Sequence, residues 1–299
     1  MGAVRVNIPA TSANLGSGFD SLGIALTLYN TIEVEEREAG LEIFSADGTK
    51  IPTDQSNLVY RTLKKVYENC GAPLPGFSIR QLNEIPMARG LGSSSACIAG
   101  AVTAANELLG RPLSLQEMLD TAVREEGHPD NVMPAFLGGF VAAVWEEGHV
   151  SYIRREVKGL EFAALIPDFQ LLTSEARAAL PPNVLHRDAV YNLSRAALAA
   201  AAFCTGEYDL LTTACKDRLH QPYRLPLIDQ GEALFHLAEN SGATAWFISG
   251  AGPTILAVVR EGDGACFQKL QAGLEEDQNL RHFRMERLRP DNQGVCTVQ

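Results

Sequence analysis

The stretch PMARGLGSSSACIAGAV, Pro86 to Val102, constrains this chain's fold more than any other. Two glycines and three consecutive serines stand directly before a run, Ala96 to Leu109, that is rich in Ala and Leu and free of Pro. That run reads as a helix packed closely on its neighbours. The Gly/Ser cluster therefore sits at a helix N-terminus, where the first N–H groups lack internal partners and the macrodipole adds partial positive charge. Such an end favours an anion, phosphate above all. Glycines at 90 and 92 let the backbone curl around it with no Cβ in the way. The plainer reading is a tight turn with a Ser N-cap. The loop does not follow the pattern G-x-x-x-x-G-K-[ST], since no Lys comes after the second glycine, so a phosphate loop here has a different design.

At 299 residues the chain can bury a real core in one large or two moderate domains. Its net charge of −11, with no run of Lys or Arg, argues against a nucleic-acid or anionic-membrane surface. Phosphate must then be held by local dipoles, a few basic side chains or a metal ion. The six cysteines, at 70, 97, 204, 215, 266 and 296, form no CxxC pair and read as reduced thiols of a cytoplasmic protein. No segment has the length of a membrane span or the h-region of a signal peptide.

Strand patterns cover residues 3 to 8, Ala25 to Glu36, LEIFSA as the hairpin partner of the latter, Phe77 to Ile85, Leu160 to Ile166, the two halves of TAWFISGAGPTILAVV, and FRMERL. Helical spacing covers Asn57 to Cys70 with Gly71 at its end, and Leu115 to Glu126 with Ser114 and Glu117 as a capping box. It also covers SEARAAL, Asp188 to Thr205, Ile228 to Ser241, and a last segment from Gly264 to Gly273. PATSANLGSGFDSLG and EGHPDNVMPAFLGG read as polar loops, the second becoming a strand at Gly139. The mixture lacks a βαβ rhythm, so two α+β layers are expected.

Taken alone, each polar loop is a set of turn formers. Together they place Asn14 and Asp20 in one loop, and Glu126, His128, Asp130 and Asn131 in another, beside the serine hydroxyls. Carboxylates at 126 and 130 with a serine hydroxyl are hard oxygen ligands of the kind magnesium takes beside phosphates. A shared site explains this better than three accidents do. The turn ISGAGPT, with glycines at 250 and 252, lets backbone approach a ligand-carrying loop closely.

In combination these segments resemble the GHMP kinase superfamily. Pro86-x-x-x-Gly90-Leu91-Gly92-Ser93-Ser94-Ser95-Ala96 is similar to its phosphate-binding motif, and Ser249-Gly250-Ala251-Gly252-Pro253-Thr254 to its C-terminal glycine motif. PATSANLGSGFDSLGIAL, EGHPDNVMPAFLGG, SEARAALP and KDRLHQPYR, in that order, resemble the homoserine kinase family within it. The match runs from Pro9 to Thr254. The resemblance implies an α+β, two-domain GHMP kinase fold: an N-terminal domain of the ribosomal-protein S5 domain 2 type, 1–155, and a C-terminal ferredoxin-like α/β sandwich, 156–299. It also implies phosphorylation of the L-homoserine side-chain hydroxyl by Mg-ATP on the route to threonine, often by a homodimer. By position, Pro86, Arg89 and Gly90 to Ser95 would wrap the ATP phosphates, with Gly252 close by and Asn57 near the adenine. Ser94 and Glu126 would hold Mg2+, with Glu125 as the alternative acid. Asn14, Asp20, His128, Asp130, Asn131, Thr173, Arg177 and Arg224 would line the homoserine pocket. The two arginines would face the carboxylate, as planar guanidinium groups suit, and Asp130 or Asp20 would face the ammonium. Asp130 as general base stands against direct attack assisted by Asn131, Asp20 and the γ-phosphate itself.

Two rivals are a GHMP kinase for another small alcohol, such as mevalonate or shikimate, and a nucleotide-binding sensor on the same fold. The arginine pair with nearby acids separates the first, because a zwitterion needs both signs whereas mevalonate needs cations only. The second predicts ATP binding without turnover. A serine hydrolase fits less well, for the serines lack the G-x-S-x-G elbow.

Overall fold

A computed structural model describes residues 2–298. The apolar alternation of VRVNI builds strand β1 (Ala3–Ala13), which runs on through part of the stretch expected as a loop and pairs antiparallel with β2 (Leu22–Arg37). Their register slips between Pro9 and Ala10. Pro9 has no N–H to give the ladder, so the strand bends there and aims Thr11 to Asn14 at the site.

One pairing expectation is corrected. β3 (Leu41–Ser45) is not the hairpin partner of β2; β4 (Gly76–Asn83) lies between them, antiparallel to β2 and parallel to β3. The start of β4 slots into the bend after β2, where the Phe77 N–H donates to the Gly40 carbonyl at 3.0 Å. A side chain at Gly76 would stand 2.3 Å from the Ala39 carbonyl carbon, so only glycine fits. Helix α1 (Leu58–Asn69) makes the crossover from β3 to β4. It closes with bonds from the Gly71 and Ala72 N–H groups to Glu68 and Tyr67, the Schellman pattern that a left-handed glycine permits.

Helix α2 (Ser93–Leu108) is buried on nearly every side. Small residues make that possible: a Cβ at Gly100 would lie 2.7 Å from Ile32 and 2.8 Å from Ile8. Helix α3 (Leu115–Glu126) starts on the expected capping box of Ser114 and Glu117. EGHPDNVMPAFLGG, expected as a loop, instead contains helix α4 (Pro129–Leu137). Pro129 suits a first helical turn, whereas Pro134 removes a bond from the Asp130 carbonyl and disguises the helix in sequence. That carbonyl packs on β2 at Gly23, where a Cβ would be 1.8 Å from its oxygen. β5 (Phe140–Glu146) and β6 (His149–Arg155) form a hairpin on the other end of β2 and extend the first sheet.

The second sheet has the antiparallel order β10-β7-β9-β8, from β7 (Leu160–Pro167), β8 (Ala245–Ile248), β9 (Ile255–Arg260) and β10 (Phe283–Leu288). Between β7 and β8 come α5 (Thr173–Ala178), α6 (His186–Thr205), α7 (Leu211–Ala214), α8 (Gln221–Arg224) and α9 (Gly231–Ser241). Helix α10 (Gly264–Glu276) follows β9. Ala163 and Leu165 of β7 pack with Leu234 of α9 and Leu270 of α10. Phe162 and Ala164 point the other way, into the main core with Ala202 and Phe203 of α6. Phe203 stacks on Phe140 of the first sheet at 4.5 Å between centroids. Two-residue periodicity thus makes β7 the seam between the layers. The last strand, β11 (Cys296–Val298), returns to pair with β1. We propose the domain boundary at 155/156, supported by the two separate sheets, with β11 as the one strand that crosses back. Among the described residues no helix is long and apolar enough to span a membrane.

Candidate active site

The anion site expected from the glycines and serines has its donors free. Gly92, in the left-handed region at φ 72, is the N-cap of α2 and supplies no side-chain cap. Among the described residues no group accepts the N–H of Ser93, Ser94 or Ser95, and the first helical bond runs from Ala96 to Gly92 at 2.8 Å. A Ser N-cap, the plainer reading, is therefore not what forms. The loop is also clamped. The Ser249 hydroxyl donates to the Gly90 carbonyl at 2.7 Å, and the Thr11 N–H donates to the Leu91 carbonyl at 3.1 Å. These contacts leave no room: a Cβ at Gly90 would meet the Ser249 carbonyl oxygen at 2.2 Å, and one at Gly92 the Thr11 hydroxyl at 2.0 Å.

Beside this loop, α3 ends on two glutamates that face different ways. Lys65 binds Glu125 at 2.5 and 2.7 Å, while Glu126 accepts from the Ser95 hydroxyl at 2.7 Å and sits 3.5 Å from that of Ser94. So Glu126, and not Glu125, faces the glycine–serine loop. Burial raises its pKa, and the Ser95 bond and the His128 charge offset this only in part. His128, on the turn into α4, contacts buried Asp130 through Nδ1 at 2.7 Å. Burial works to lower the imidazole pKa, but the bond and the charges of Asp130 and Glu126 outweigh it and hold it above the ordinary value. The stability this pair contributes is full below the ordinary histidine pKa and fades as pH rises through the raised one. Next to it, the Asn131 side-chain oxygen Oδ1 accepts from the Thr11 hydroxyl at 2.9 Å.

Across the cleft lie the groups suited to an amino acid. Arg177 forms a bidentate pair with Asp20 at 2.7 and 3.0 Å. Asn14 accepts from the Asp20 N–H at 3.0 Å and donates to the Gly250 carbonyl at 2.8 Å. Arg224 is buried and donates to the carbonyls of Ala176 at 3.3 Å and Gly250 at 3.0 Å. The guanidinium carbons of Arg177 and Arg224 lie 5.6 and 5.1 Å from the Phe19 ring centre. Phe19 holds both cations, a contact no periodicity in the sequence announces.

The cleft encloses about 630 Å³ including its open mouth, and all but two of the candidate residues line it: Asn14, Asp20, Pro86, Arg89 to Ser95, Glu126, His128, Asp130, Asn131, Thr173, Arg177 and Arg224. Arg89 has its nitrogens bonded to the carbonyls of Met87, Pro167 and Asp168 and fastens the loop to the end of β7. Gly252 stands behind Gly90 rather than in the cleft. Asn57 lies apart. Its oxygen caps α1 by accepting from Val59 and Tyr60, and its nitrogen donates to Pro52 and Gln81, so its bonding capacity is met inside the fold.

Comparison with known proteins bears on which chemistry this cleft performs. Residues 57–139 match the GHMP kinases N terminal domain and residues 199–274 the GHMP kinases C terminal domain. A homoserine kinase of Caldicellulosiruptor saccharolyticus is 48% identical, with 99% of this chain and 97% of that protein aligned. The chain belongs to the homoserine kinase family of the GHMP kinases. Another member, from Clostridium beijerinckii, is 45% identical over 91% of each chain. In three dimensions the crystal structure of homoserine kinase from Cytophaga hutchinsonii superposes with a TM-score of 0.88, at 26% identity, covering 99% of this chain and 97% of the other. A GHMP kinase is an ATP-dependent phosphotransferase, so the open N–H groups of α2 stand where such an enzyme needs an anion site.

Proposed function

We propose that the cleft transfers the γ-phosphoryl group of Mg-ATP to the side-chain hydroxyl of L-homoserine, giving O-phospho-L-homoserine. The observation that carries this reading is the presence of both signs of charge in the cleft that the glycine–serine loop lines: the guanidinium groups of Arg177 and Arg224 together with the carboxylates of Asp20 and Asp130. In the free cleft Arg177 and Asp20 satisfy each other. A zwitterion replaces that pair in kind, its carboxylate taking the guanidinium groups and its ammonium the carboxylates. A mevalonate-like acid would draw Arg177 away from Asp20 and offer no ammonium in its place.

The phosphates lie against the N–H groups of Gly90 to Ser95, and Asn131 holds the acceptor side of the loop in place through Thr11. The Ser94 hydroxyl and the half-buried Glu126 carboxylate are hard oxygens suited to Mg2+. Magnesium there would supply charge neutralisation for the phosphates and for Glu126 alike. The hydroxyl oxygen forms a bond to the γ-phosphorus as the bond to ADP breaks. Its proton passes to Asp130 or to the transferred phosphate. Most of the acceleration comes from positioning and charge, so a strong base is not obligatory.

Two results are expected from this arrangement. In Glu126→Gln the half-buried charge disappears. A carboxyl whose folded pKa is raised costs stability as pH climbs from its unfolded to its folded pKa, so at neutral pH the metal-free variant should melt higher than the parent. Its activity should need about tenfold more magnesium, as one lost ligand worth ~1.4 kcal/mol implies. Calorimetry and a magnesium titration read these. Arg177→Lys should raise KM for homoserine about tenfold with KM for ATP unchanged, because a point charge replaces a bidentate fork. The reading as a whole is tested by ADP release with L-homoserine, mevalonate, shikimate, L-serine and L-threonine. Turnover with homoserine alone supports it; ATP binding without turnover on any of them supports a sensor instead.

A further inference from the structure

We propose that His220 is a positioning residue for the substrate carboxylate, bracing Arg224 against the Gly16 carbonyl; this rests on the homoserine reading above. His220 is fully buried at the N-cap of α8 and does not line the cleft. Its Nε2 lies 2.7 Å from the Gly16 carbonyl oxygen, which only accepts, so Nε2 carries the proton. Nδ1 is then the acceptor, and Arg224 Nη1 approaches it at 3.5 Å. One imidazole thus braces Arg224 against the backbone at Gly16.

The surroundings hold it in that role. The Asp217 carboxylate accepts from the N–H groups of His220 at 2.9 Å and Gln221 at 2.6 Å, and from the Asn192 side chain at 2.6 Å, which fixes the first turn of α8. Gln221 in turn accepts from the Ile248 N–H at 2.8 Å, tying α8 to β8. On its face the His220 ring meets Phe19, centroids 5.2 Å apart, and Phe19 is the ring beneath both guanidinium groups. Gly16 cannot yield, because a Cβ there would lie 2.0 Å from the Cys215 carbonyl oxygen. Arg224 has Nε and Nη1 committed to Ala176 and Gly250, and among the described residues Nη2 has no hydrogen-bond partner, which leaves it for a carboxylate in the cleft that Arg224 lines. A ring that held a second positive charge against Nη1 would push this arginine away. Burial keeps the imidazole below its ordinary pKa, consistent with the neutral tautomer that the two contacts require.

The test uses the full chain with two acceptors, L-homoserine and 3-aminopropan-1-ol, which is homoserine without its carboxylate. His220→Leu should raise KM for homoserine about tenfold, a loss of the size one well-placed charged contact commands. KM for ATP and kcat/KM for 3-aminopropan-1-ol should hold within about twofold, as for a change confined to carboxylate binding. His220→Gln, which offers a donor and an acceptor, should recover part of the loss, and the effect of His220→Leu should vanish in an Arg224→Leu background. Equal losses on both acceptors, or full additivity with Arg224→Leu, would overturn the proposal. If His220→Leu does not fold, His220→Gln decides on the same two acceptors: a loss selective for homoserine supports the proposal, and none overturns it. Failure of the wild-type chain to phosphorylate homoserine would instead sink the reading beneath it.

Discussion

Asp130→Asn is expected to lower kcat/KM for homoserine about a thousandfold, within the range that loss of a positioned acid or base group gives. The substitution keeps the shape of the side chain, and α4 needs no carboxylate to form, so folding should survive. What goes is the negative charge bonded to His128. With it goes the interaction that holds the imidazole above its ordinary pKa, so a histidine titration followed by NMR should move down in the variant. The kinetic split assigns the role of Asp130. A fall in kcat at unchanged KM makes it the proton acceptor, whereas a rise in KM at unchanged kcat makes it the ligand of the substrate ammonium. Activity within tenfold of wild type would remove Asp130 from the site altogether.

Gly90→Ala is expected to cost about a hundredfold in kcat/KM for ATP, the scale on which a displacement of roughly 1 Å acts. Two effects combine at this position. Alanine at φ 76 carries about 1–2 kcal/mol of left-handed strain, and its Cβ would stand 2.2 Å from the Ser249 carbonyl oxygen and 2.8 Å from that of Gly252. Both obstacles are backbone, so the phosphate loop itself must move. Gly110→Ala separates the two effects. Gly110 has φ 79 but nothing within 4 Å of a Cβ, so the variant should melt lower by a similar strain while its kinetics stay at wild type. Equal kinetic damage in both would mean that strain, not the close approach of the ISGAGPT turn, controls the loop.

Local signals in the sequence were strong where one stretch of chain makes its own structure. The capping box at Ser114 and Glu117, the glycine-terminated α1 and the helix behind the serines all depend on neighbours a few residues apart, and all are found. Pairing between distant segments was less legible. Nothing in LEIFS tells that β4 will insert beside it, because that choice is made by Gly76 meeting the bend at Ala39. Helix α4 was hidden by Pro134 and by a polar first turn whose residues are also turn formers. Strand β11 is too short to show alternation. In the site, residues named by chemistry were found together at the cleft, but those that act through shape or support were not foreseen: Phe19 beneath the guanidinium groups, and Asp217 capping the turn that carries Arg224. Asn57 shows the converse. A polar residue at the head of a helix is first of all a cap, and here the oxygen caps α1 while the nitrogen serves Pro52 and Gln81.

The central claim is that this cleft moves a phosphoryl group onto an amino alcohol rather than onto water. Phosphorus NMR of the wild-type chain with Mg-ATP and L-homoserine measures that directly. The expected result is a new phosphomonoester resonance that grows as fast as ADP appears, with little inorganic phosphate. ADP accompanied by inorganic phosphate alone, or no loss of ATP at all, would contradict the account.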